Sequence, residues 1–157
     1  MTHLLLTVGK PKTDHARAGI ELYRRRLKPY GGCGHQVVRA CRAAGGRSQA
    51  EIISRQDKRI VDALQDRDRV WALDLRGRGW SSKEWARRLD QARLAGTGRL
   101  VLVIGGALGL GETVLQRADS RVSLGPITLP HELAAVVALE QLYRGHTILA
   151  GTPYHRA

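Results

Sequence analysis

Leu100-Val101-Leu102-Val103-Ile104-Gly105-Gly106-Ala107-Leu108-Gly109-Leu110-Gly111 is the stretch on which the fold turns. Five consecutive apolar residues that run into a glycine-rich turn, with a helical segment beyond, read as one βα unit. Working outward, further short apolar runs stand at Leu4–Val8, Gln36–Ala40, Val70–Asp74 and, more weakly, near Val122–Leu124. Longer segments of helical period separate them. Five strands alternating with helices predict an α/β fold, a mainly parallel sheet flanked by helices, in a single domain spanning residues 1–157.

Between the first two strands, Ala16, Ile20, Tyr23 and Leu27 fall at helical spacing, and Arg17, Arg24 and Lys28 take another face as a basic stripe suited to phosphate. Ser81 and Glu84 form an S-x-x-E capping box, with Trp80 and Trp85 at the staple positions around it. Asp74–Gly79 then reads as a loop at the carboxyl edge of the sheet, where ligands of open α/β sheets bind. A last helix opens at Pro130 and runs to about Arg144. Its run from Leu133 to Leu139 has no polar side chain, which predicts cover from the sheet or from a second subunit, and a homodimer contact along this helix.

Lys and Arg outnumber Asp and Glu by 26 to 14, for a net charge of +12. The excess is concentrated in residues 1–70, so nucleic acid is the first partner to consider. Cys33 and Cys41 are too few for a disulfide scaffold or a zinc site. No run approaches a membrane span or a signal peptide, so the expectation is a cytoplasmic protein that uses neither membrane nor metal. Neither a G-x-G-x-x-G fingerprint, a P-loop nor a G-x-S-x-G elbow is present.

Two loops invite a ligand. Gly105–Gly111 exposes backbone N–H groups at a helix entrance, and Leu124-Gly125-Pro126-Ile127-Thr128-Leu129-Pro130 is apolar and stiffened by two prolines, a surface for a flat ring such as adenine. The first is equally consistent with tight turn geometry, and the second, taken by itself, reads as buried. Of six histidines, His131 in the first turn of the last helix and His155 in the tail carry functional weight. Glu140 reads as the partner of a local donor.

Val8-Gly9-Lys10, the Tyr23–Tyr30 segment, Leu73-Asp74 with Gly77 and Ser81-Ser82, Ile104-Gly105-Gly106 with Gly109-Leu110, Thr128-Leu129-Pro130-His131, Glu140–Arg144 and Pro153-Tyr154-His155-Arg156 occur in that order. Together they resemble the RlmH family of the SPOUT superfamily, S-adenosylmethionine-dependent methyltransferases that modify N3 of a pseudouridine in bacterial 23S ribosomal RNA. The resemblance covers essentially the whole chain. It implies a C-terminal trefoil knot, a homodimer, the ribosome and its 23S rRNA as partner, and S-adenosyl-L-methionine held by Leu73, Gly105 and the run Leu124, Gly125, Pro126, Ile127, Thr128 and Leu129. It places the catalytic and RNA-side roles on His131, Arg144, Tyr154, His155 and Arg156, with the tail of one subunit completing the site of the other.

The chain departs from the family at Ala135, where Arg is usual one turn beyond His131, at apolar Leu108, and at Gly145-His146 in place of an Ala-aromatic pair. A missing charge near the site leaves a second reading, a non-catalytic basic RNA-binding or ribosome-assembly factor on the same fold. A third, a SPOUT enzyme acting on transfer RNA, fits the Pro153–Arg156 ending less well.

Overall fold

A computed structural model describes residues 1–41, 46, 48–96 and 98–154. Five strands, β1 (Thr2–Val8), β2 (Cys33–Val38), β3 (Arg69–Gly79), β4 (Arg99–Ile104) and β5 (Ser120–Ser123), form one sheet in the order β2-β1-β4-β3-β5, every neighbouring pair parallel. Alternate residues of the central strands feed two cores. Leu5, Leu100, Leu102, Ile104 and Trp71 face one side, and Leu4, Leu6, Val8, Val101, Val103 and Ala72 the other. This explains the unbroken apolar runs, since a strand covered on both faces has no polar side to show.

The first core is closed by α1 (Asp14–Arg26), α3 (Ser82–Leu94) and α5 (His131–Leu149), through residues such as Ile20, Trp85, Leu89, Leu139 and Leu142. The second is closed by α2 (Gln49–Asp62) and α4 (Glu112–Arg117), through Ile60, Val114 and Leu115. Helix α3 starts where the sequence places it. Ser81 Oγ accepts from Glu84 N at 3.2 Å and Ser81 N donates to Glu84 Oε2 at the same distance, while the Trp80 and Trp85 rings meet edge-on at 5.4 Å.

Two expectations need correction. Asp74–Gly79 is strand rather than loop: β3 bulges after Leu73 and resumes pairing at Arg78 against Val122 of β5. Gly77 makes this possible, because a Cβ there would lie 2.6 Å from the backbone of Arg121. Helix α5 continues past Arg144 to Leu149 and stops at Gly151, whose φ of +64° permits the bonds Gly151 N to Ile148 O and Thr152 N to Thr147 O that close the helix end. Gly145 does not break it, since the residue lies where α5 runs close to Ala86 of α3. The basic stripe on α1 lies at the surface and is engaged in part within the chain: Arg17 pairs with Asp14 and bonds the Pro11 and Lys12 carbonyls, and Arg24 bonds Cys33 O and Glu21.

Candidate active site

The carboxyl ends of β3, β4 and β5 enclose a cavity of about 220 Å³. Leu73, Asp74 and Leu75 supply the wall from β3, Ile104–Ala107 with Gly109 and Leu110 the wall after β4, and Val122, Leu124 and Ile127–Leu129 the wall after β5. His131 and Ala134 of α5 complete it. Six of the eight expected cofactor positions therefore converge. Gly125 and Pro126 do not line the cavity. Gly125 instead shapes the loop, its N donating to Ser123 Oγ at a φ of +119°.

The glycine-rich loop is folded back on itself. Gly106 and Gly109 bridge, with Gly109 N to Gly106 O at 3.0 Å, and a Cβ on Gly105 would sit 2.5 Å from the carbonyl group of Gly109. Helix α2 fastens this loop from below. Gln56 Nε2 donates to Gly109 O at 2.7 Å, and buried Asp57 accepts from Gly111 N at 2.9 Å and Val114 N at 3.3 Å. These positioning residues escaped sequence reasoning. Their signal is two polar residues on the face that carries Ile52 and Ile60, behind a Ser48–Glu51 capping box.

Asp74 lends the cavity its one buried side-chain acceptor without a hydrogen-bond partner among the described residues, its Oδ2, whose nearest cation is Arg76 Nε at 3.6 Å. Beside His131, the Glu132 carboxylate reaches the loop between β1 and α1. Oε1 accepts from Lys12 N at 2.8 Å, and Oε2 accepts from Thr13 N at 3.1 Å and Thr13 Oγ1 at 2.7 Å. The Lys12 amide first, then the Thr13 hydroxyl and amide, pull its pKa down to about 2. Ala135, one turn on, is 1% exposed and packs in the core, so the cavity-facing neighbour of His131 is Ala134 and position 135 is not part of the cavity wall.

Arg144 and Tyr154 lie elsewhere. Thirteen positions along α5 from His131 is roughly 20 Å, and there both side chains gather on Glu140. Arg144 Nε donates to Glu140 Oε1 at 2.9 Å, Tyr154 Oη donates to the same oxygen at 3.2 Å, and the guanidinium stands 4.9 Å from the Tyr154 ring centre. Burial first, then the neighbouring Tyr23 and Glu140, push the Tyr154 hydroxyl up to about 12. His155 and Arg156 lie outside the described residues. Cys33 is no nucleophile, because burial raises its thiol to about 11.

The parallel sheet with a cavity at its carboxyl edge, walled by glycine-rich and proline-stiffened turns, defines an α/β domain with a candidate ligand site, and comparison gives the class. A solved structure of a probable methylase family protein from Haemophilus influenzae superposes with a TM-score of 0.53, covering 99% of this chain and 70% of that one at 16% identity, which is a likeness of fold. Residues 1–155 match the family described as predicted SPOUT methyltransferase, and the chain belongs to that family. Its relatives include the ribosomal RNA large subunit methyltransferases H of Limosilactobacillus reuteri, 40% identical over 97% of this chain and 98% of the relative, and of Enterococcus faecalis, 37% identical over the same shares. Among the described residues no helix is long and apolar enough to cross a membrane.

Proposed function

We propose that this chain methylates N3 of a pseudouridine in 23S ribosomal RNA, using S-adenosyl-L-methionine, as a cytoplasmic homodimer. The observation that carries the reading is the convergence of Leu73, Gly105, Leu124 and Ile127–Leu129 on one cavity with His131 at its edge, in a chain related over nearly its full length to large-subunit methyltransferases. The cavity suits the cofactor. Its walls are mostly apolar, as an adenine ring requires, and the free Oδ2 of Asp74 offers an acceptor to a cationic, hydroxyl-bearing molecule. In our reading residues 1–157 act as one domain, and its C-terminal segments form the family's trefoil knot.

Bound there, the cofactor supplies a methyl group already activated by its sulfonium. What remains for the protein is to align N3 for in-line displacement and to remove its proton. His131 is the candidate acid-base side chain at the cavity, and in our reading an imidazole nitrogen accepts the N3 proton. Arg144, held straight by Glu140, stabilises the negative charge that develops as the proton leaves, and Tyr154 with His155 and Arg156 holds the nucleotide.

A separation of roughly 20 Å along α5 keeps Arg144 and Tyr154 from the cavity of their own chain, which supports a shared site in which a second subunit brings them. Two further features favour such a partner. The cavity, about 220 Å³, falls below the usual range of small-molecule sites, and its surroundings expose Leu75 and Ile127, each 59% accessible, with Leu133 further along α5. Transfer of a labelled methyl group to ribosomes from a strain lacking the relative's activity tests the reading. We expect the product to be a pseudouridine methylated at N3, seen by mass spectrometry of nucleosides. Cofactor binding without any transfer would favour the non-catalytic assembly factor.

A further inference from the structure

A second cavity opens at the carboxyl ends of β1 and β2, lined by Gly9, Lys10, Val37, Val38, Arg39 and Ala40. The two strands finish in register, Val8 beside Val38, and Gly9 N donates to Val38 O at 2.9 Å. Lys10 and Arg39 are consequently the first side chains beyond the paired strands, on the two banks of one groove. Both are exposed, and neither forms an ion pair with a described residue. This sets them apart from Arg17, Arg24, Arg99 and Arg144, whose guanidinium groups are held by acids of the same chain.

The groove is also braced. Arg59 Nη1 donates to Arg39 O at 2.7 Å, fixing the main chain of one bank while leaving the Arg39 guanidinium available. On the other bank, the bonds from Lys12 and Thr13 to Glu132 tie the loop after Lys10 to the first turn of α5, next to His131. In the strand order β2-β1-β4-β3-β5, the β2/β1 gap lies two strand positions from the β4/β3 gap where the His131 cavity opens. At about 4.8 Å per strand that is on the order of 10 Å, the reach of one or two nucleotides. Lys10 and Arg39, on the same edge of the sheet as that cavity, are placed to meet the backbone phosphates of nucleotides next to the one at the cavity.

We propose that Lys10 and Arg39 form a phosphodiester-binding site, which grips single-stranded RNA beside the nucleotide presented at the His131 cavity. The proposal rests on the RNA methyltransferase reading and adds to it where the substrate strand runs. Its contacts are to phosphate, so they position the strand without reading its bases.

The test compares the parent with Lys10→Ala/Arg39→Ala and with Arg24→Ala/Lys28→Ala, which removes the same charge from α1 and the turn after it. Lys10, Arg39 and Lys28 are exposed and Arg24 is half-buried, and unchanged thermal melting checks that each variant is folded. Binding of a short fluorescein-labelled oligouridine is followed as salt is raised. The groove variant is expected to lose about 1.4 from the slope of log affinity against log salt, two single-strand phosphate contacts at roughly 0.7 each, while the α1 variant keeps a slope near the parental one. Equal slopes for the parent and the groove variant, or no binding of the oligouridine by the parent, overturn the site. The parallel assay of methyl transfer to ribosomes separates the two claims. Parental transfer with an unchanged groove slope sinks the site alone, whereas a reduced groove slope in a protein that transfers no methyl group sinks the enzymatic reading alone.

Discussion

At the scale of single residues, Gly105 has a reason beyond contact with a ligand. Its missing Cβ is the space into which Gly109 folds, and the obstacle at 2.5 Å is backbone that cannot swing aside. Gly105→Ala should therefore destabilise the protein by about 1–3 kcal/mol, the usual cost of overpacking, and weaken cofactor binding with it. Urea melts and calorimetry measure both, and an unshifted midpoint would remove the argument. His146 offers a second case. Its Nε2 lies 3.1 Å from His3 Nε2, its ring stacks on Tyr30 at 4.8 Å, and His3 Nδ1 donates to Gly32 O at 2.8 Å, which leaves the facing His3 nitrogen as an acceptor. Burial first, then the positive potential of His3 and the chain amino terminus, lower the His146 pKa to about 3. A group depressed in the folded state takes up its proton more readily when unfolded, so stability is full above about 6.5 and declines as pH falls toward 3. Melting temperature should drop between pH 7 and pH 5, and His146→Phe should flatten that dependence. The His3–His146–Tyr30 contact also accounts for the Gly145-His146 departure, as packing rather than chemistry.

At the scale of elements, helix α2 governs the cavity without touching it. Asp57→Ala would leave the Gly111 and Val114 amides without their acceptor, so a loss of about 1–3 kcal/mol is expected together with weaker cofactor binding. Calorimetry showing parental affinity in the folded variant would mean that the loop holds its shape unaided. Elements were legible where one local signal sufficed. Unbroken apolar runs give β1 and β4, helical spacing gives α1, and the capping box gives the start of α3. They were less legible where a distant partner decides. Pairing with β5 draws Asp74–Gly79 into β3, and pairing with β1 extends β2 back to Cys33 through Gly34 and His35, which alone look like turn residues. The candidate site divides the same way. Glycine and proline punctuation marked both cavity loops, but the hydrogen bonds that Gln56 donates and Asp57 accepts span more than fifty residues, and two polar residues on an apolar helix face do not name those partners.

At the scale of the whole molecule, the separation of His131 from Arg144 makes subunit sharing measurable. Light scattering should give twice the 17.3 kDa chain mass. His131→Ala and Arg144→Ala should each be inactive alone, yet a mixture of the two should recover about a quarter of parental activity, because half of the randomly paired dimers contain one site with both residues intact. No recovery on mixing would place Arg144 in the service of its own chain. All three tryptophans of the protein, Trp71, Trp80 and Trp85, meet edge-to-face at 5.0–5.5 Å where β3 hands over to α3. Excitation shared among three indoles so close gives the chain a single optical reporter. Trp80 directly follows the end of the bulged strand whose middle, Leu73–Leu75, walls the cavity, so its near-ultraviolet circular dichroism would register any shift of β3 when a ligand enters, with no label added.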